Sequence, residues 1–159
     1  MAENYLIAYL NDHLAGSVVA LDLLAELEET HAGKEVARTL AELRTDIEAD
    51  RRALQELMKE LDIAESRPRK ALAWSTAKLT EVKLRLEDNP EGPLRLLESV
   101  EAVALGIEGK LALWRSLSAA AEIAPHLRRI DYEWLADRAE EQRRRAEQVR
   151  LSAARAALT

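Results

Sequence analysis

Two short stretches, "EADRR" at 48–52 and "EEQRR" at 140–144, carry the same Glu-x-x-Arg spacing, Glu48 with Arg51 and Glu140 with Arg143. Residues three apart share a helix face, so each pair places a carboxylate beside a guanidinium. In the first stretch Arg51 lies four residues after Ile47 and three before Leu54, on the stripe that Leu57 and Met58 continue. A guanidinium there either lies buried against acids or reaches out to the rim. Arginine keeps its proton and offers only donors, so it pairs with carboxylates and carbonyls and ligates no metal. Glu28-x-x-His31 has a metal-type spacing, but it falls at a helix end, where histidine suits the exposed carbonyls. His13 lies on an inner stripe, and His126 follows Pro125 in a loop. Cysteine is absent, and no glycine-rich phosphate loop or paired-histidine zinc motif is present. Nucleophilic catalysis finds no support, and no catalytic residue is assigned.

The elements that position these groups are helical. Alanine, leucine, glutamate and arginine dominate a chain of 159 residues with five glycines and no phenylalanine, a mixture that favours helix by propensity. The hydrophobic fraction of 48% supports a core. A net charge of −6 argues against nucleic acid as a partner. No apolar run reaches the ~18 residues of a membrane span, and no basic leader precedes "MAENYLIAYL", so a cytoplasmic protein is expected.

Leu6, Leu10, His13, Ser17, Leu21, Leu24 and Leu27 mark a first helix over 3–30, and Gly33 breaks it. Val36, Leu40, Leu43, Ile47, Leu54, Leu57 and Leu61 mark a second over 34–61, antiparallel to the first because the loop is short. Leu97, Val100, Ala104, Ile107, Leu111 and Trp114 mark a third over 94–120. Asp131 caps a fourth, with Leu135, Ala139, Ala146, Val149 and Ala153 inward. The expected fold is an all-α four-helix bundle of one domain, 1–159: a hairpin over 3–61, a crossover over 62–93 and a hairpin over 94–157. The crossover carries a shorter helix that Ser66 could cap, and it is long enough to run the length of the bundle. A local fold-back would instead make a simple meander. Gly16, Gly106 and Gly109 inside helices each cost ~1 kcal/mol relative to alanine, which implies close helix approach or room for a neighbour or ligand.

The two hairpins look related. Glu48 and Glu140 are 92 residues apart, as are Arg51 and Arg143, while Gly16 and Gly109 are 93 apart. Two pairings with nearly one offset imply a pseudo-dyad, which would bring the Glu-x-x-Arg motifs to one level of the core.

Paired hairpins, a long crossover and a Glu-x-x-X element midway along the second and fourth helices resemble the ferritin-like superfamily. Its catalytic members hold two metals with a Glu from each of two helices and a Glu-x-x-His from each of the others. The resemblance implies the fold, while Arg51 and Arg143 stand where the histidines would be. A buried cation is costly unless paired, so the candidate bundle-centre cluster is Glu48, Arg51, Glu140, Arg143, Glu101, Glu108 and His13. The reading that follows is a non-catalytic ferritin-like bundle without cofactor, acting through association: a homo-oligomer such as a dimer, or a stress-linked partner protein. The alternative is a carboxylate-rich centre of Glu48, Glu101, Glu108 and Glu140 holding iron or manganese. No small-molecule ligand is identified.

Overall fold

A computed structural model describes residues 2–66, 89 and 91–159 of the chain. Helix α1 spans Ala2–Thr30, α2 spans Glu35–Glu60, α3 spans Pro93–Ile123 and α4 spans Tyr132–Leu158. A 3-10 turn, Pro125–Leu127, links the last two. The boundaries have local causes. Gly33 adopts φ 80° in the α1–α2 loop, a conformation glycine enters without Cβ strain. Pro93 stands at the first turn of α3, where a missing N–H costs nothing. The Asp131 carboxylate accepts from Trp134 N at 2.9 Å, so the expected cap of α4 is present.

Contacts along the helices give the topology. Glu26 pairs with Arg95, and Gly106 faces Ala20, so α1 and α3 run antiparallel. Asp46 pairs with Arg145 and Asp50 with Arg138, so α2 and α4 do too. Within the hairpins the chain reverses, and α2 and α3 are therefore parallel. The link between them leaves from one end of the bundle and returns at the other. Its far end is fixed by Lys34 Nζ, at the start of α2, 3.2 Å from Glu91. Its near end turns at Asp62, φ 55°, and is then held by the buried Asn11. The Asn11 amide donates to Ala64 O at 3.3 Å and accepts from Ser66 N at 2.6 Å. The two described ends of the connection thus lie at opposite ends of the bundle, as a long crossover requires and a local fold-back does not. The helix expected inside it lies outside the described residues.

Apolar side chains fill the core in two clusters. One gathers Leu10, Leu14, Leu54, Leu57, Trp114 and Leu135 toward the end where α1 begins. The other gathers Leu24, Leu40, Leu43, Ile47, Val103 and Ile107 toward the end where α1 stops. What separates them is polar.

Candidate site: a polar layer at the middle of the bundle

Between Ile47 and Leu54 on the inner stripe of α2 stands Asp50, 1% exposed. Between Ala139 and Ala146 on α4 stands Gln142, 0% exposed. Lys110 fills the same interval on α3, between Ile107 and Trp114, with its side chain 14% exposed. In each interval one apolar neighbour belongs to the first cluster and the other to the second. The three groups therefore form a single polar layer across an apolar core.

The layer is closed on itself. Asp50 Oδ2 accepts from Gln142 Nε2 at 2.8 Å and from the Lys110 ammonium. Asp50 Oδ1 accepts from Arg138 Nε at 2.8 Å and also from its Nη2. Lys110 donates again to Gln142 Oε1. A carboxylate offers about four lone-pair sites, and here four donors meet it. Burial pushes the Lys110 ammonium below the usual lysine range, and the facing Asp50 pulls it back up. Arg138, 21% exposed, closes the outside of the layer and lies over the Trp134 ring, 4.6 Å from its centroid. Asp50 and Gln142 are 92 residues apart, the offset of the two Glu-x-x-Arg motifs. Side chains related by one shift and bonded to each other stand at a pseudo-two-fold axis.

The expected cluster is arranged otherwise. The inward positions are Asp50 and Gln142, so Arg51 and Arg143, one residue on, sit about 100° further round each helix. Each arginine reaches the first helix of its own hairpin. Arg51 Nη1 donates to Leu14 O and Ser17 Oγ, both at 2.7 Å. Arg143, 49% exposed, lies 2.9 Å from Glu140 and 3.4 Å from Glu108. Glu140 also takes Arg115 at 2.7 Å. Glu48 pairs with Arg44 at 3.0 Å, and Glu101 with Arg150 at 3.5 Å. Glu108, Glu140 and Arg143 thus come together on the α3–α4 face, while Glu48, Glu101 and Arg51 stand apart from them. The two motifs do not meet in the core, because their inward neighbours occupy it. His13 packs edge-on against Tyr9, with ring centroids 4.7 Å apart, and burial pushes its pKa down.

Among the described residues the mid-bundle donor set is not that of the two-metal centre of catalytic ferritin-like proteins. At mid-bundle it offers one carboxylate, already bonded to two cations, beside an amide. Among the described residues no group of three or more His, Asp or Glu is placed to hold a metal ion.

Beside the layer, α1, α2 and α3 line a partly open cavity of about 380 Å³. Leu23, Ala20, Val103 and Leu113 supply apolar wall, and His13, Ser17, Arg51 and Lys110 supply polar wall. Gly16, Gly106 and Gly109 line it as well. A Cβ built on Gly16 or Gly109 meets nothing within 4 Å among the described residues, and one on Gly106 meets only Ala20, at 3.9 Å. The helix glycines make room rather than close packing.

An antiparallel four-helix bundle with this end-to-end crossover is a ferritin-like fold. Among solved structures it is similar to the E. coli stress protein YciF, with a TM-score of 0.65, 12% identity, and 99% of this chain and 95% of that one covered. No protein-family model matches the chain, and no curated protein sequence does. At 12% identity the likeness is one of fold.

Proposed function

We propose that this chain is a ferritin-like bundle that works by association rather than by metal chemistry, with a second copy of itself as the partner. The observation that carries the first half is the closed layer of Asp50, Lys110, Arg138 and Gln142, which puts two cations where a metal centre would need ligands. A dimetal site requires converging, uncommitted carboxylates, and Glu48, Glu101, Glu108 and Glu140 are each engaged by arginine. Support for self-association is the end of the bundle where α1 begins, α3 stops and α4 begins. There Tyr5, Ile123 and Trp134 are all exposed; large apolar side chains exposed at one end of a bundle favour contact with a partner. A stress-linked role, the one named for YciF, is supported by likeness of fold alone.

One preparation tests both halves. The purified protein is incubated with iron(II), manganese(II) and zinc(II), desalted and analysed for metal, and the same sample is run in a sedimentation experiment. The expected result is no stoichiometric metal and a dimer that Ile123→Asp dissociates. Near-stoichiometric metal lost on Glu48→Ala or Glu140→Ala would establish the carboxylate-rich alternative, and a monomer at all concentrations would end the association reading.

A further inference from the structure

The cavity beside the polar layer has the make-up of a small-molecule site: mostly apolar walls, a few polar groups among them, and a volume in the range that ligands occupy. Its polar groups are not equivalent. Asp50 is saturated by four donors, and Lys110 is committed to Asp50 and Gln142. Asp12 stands exposed at the rim. Arg51 differs from all of these. Its two hydrogen bonds both leave from Nη1, and both end on neutral acceptors, Leu14 O and Ser17 Oγ. Among the described residues no carboxylate pairs with it, and its Nε and Nη2 make no hydrogen bond. A half-buried guanidinium therefore lines the cavity with no carboxylate paired to it among the described residues and with further donors unspent.

The geometry points to a binding site for an apolar monocarboxylate, its hydrocarbon body along Ala20, Leu23, Val103 and Gly106 and its carboxylate on the free donors of Arg51. Paired N–H groups of arginine match the two oxygens of a carboxylate, and such charge-assisted pairs are the strong ones. The apolar wall of Ala20, Leu23 and Val103 favours an anion with a hydrocarbon body over a small hydrophilic one such as inorganic phosphate. Helix glycines that face open space are explained on the same terms: side chains at Gly16 and Gly109 would fill the volume that the ligand body takes. This inference is separate from self-association. A dimer that binds no carboxylate and a monomer that binds one are distinguishable results.

The test is titration calorimetry of the full chain with decanoate below its micellar concentration, and with decan-1-ol as the uncharged counterpart. Decanoate is expected to bind saturably at one per chain. Arg51→Gln weakens decanoate by about tenfold or more, as loss of a charged hydrogen bond does, and leaves decan-1-ol unchanged. Gly16→Leu and Gly109→Leu, each checked for a cooperative melt, lose both compounds. Should Arg51→Gln not fold, Arg51→Lys keeps the charge, loses the paired donors and weakens decanoate selectively. Absence of saturable binding to the wild-type chain overturns the proposal. So does decanoate binding that survives both leucine substitutions, or that the Arg51 variants leave as strong as before.

Discussion

Asp50 holds two cations and an amide in a layer that water barely reaches, so its removal strands Lys110 and Arg138 near each other without the carboxylate that both are bonded to. Breaking a buried pair from one side costs about 3–5 kcal/mol, most of it the penalty of the charge left behind. Asp50→Ala is expected to lower the free energy of unfolding by that amount in urea, whereas Glu48→Ala, on a half-exposed pair within one helix, changes it by about 0–1 kcal/mol. Equal losses would show that the layer is not buried in solution. The layer was present in the sequence in a form that reading by hydrophobicity passes over. The stripe of α2 runs Leu40, Leu43, Ile47, then Leu54 and Leu57, alternating three- and four-residue steps with one position skipped. The step from 47 lands on 50 before 54, and the same step on α4 lands on 142 between 139 and 146. A search for apolar residues sees only gaps there. Arg51 is also close to the stripe, yet one residue turns a side chain to a different neighbour, here Leu14 and Ser17.

At the scale of the helix, termini and periodicity were legible because their causes are local. Gly33, Pro93 and Asp131 act through their own backbone angles and hydrogen bonds, which no distant contact needs to complete. The internal glycines are a different matter. A glycine in a helix signals that something lies against it or that nothing does, and only the placement of α1 against α3 separates the two. Since a Cβ at Gly16 or Gly109 meets nothing within 4 Å among the described residues, alanine at either position is expected to stabilise the chain by about 0.5–1 kcal/mol, by removing the conformational freedom of glycine in the unfolded state. Thermal or urea unfolding measures this directly. A loss of stability in both variants would mean that the cavity is filled in solution.

Across the whole molecule, the arrangement of hairpins was recoverable from the 92-residue offset and from the length of the crossover, whereas the partners of individual charges were not. Glu101, Glu108 and Glu140 found arginines on a facing helix, and which arginine each found depends on helix rotation. The fold as a unit also carries a pH response. Burial holds His13 and His31 below the usual histidine pKa of 6.5, with Lys34 adding to the effect at His31 while Asp12 and Glu91 oppose it. Below about pH 6.5 the unfolded chain takes up protons that the folded chain resists, so unfolding becomes easier as pH falls through the folded-state pKa values. The unfolding midpoint is expected to drop between pH 7.5 and pH 5.5, and to drop less in a His13→Gln, His31→Gln double variant. An identical drop in both proteins would assign the acid response to the carboxylates alone.

The connection that runs from one end of the bundle to the other has a consequence for how copies of the chain could exchange parts. The seam between the hairpins, stitched by Glu26–Arg95, Asp46–Arg145 and the Asp50 layer, asks only that one first hairpin meet one second hairpin. It is indifferent to whether the two belong to the same chain. Each hairpin closes over a short loop and forms on its own timescale, while the seam must wait for the longer connection to close. During refolding at high concentration, a first hairpin can thus dock on a neighbour's second hairpin, and reciprocal exchange yields a domain-swapped pair with the same core and no new interface.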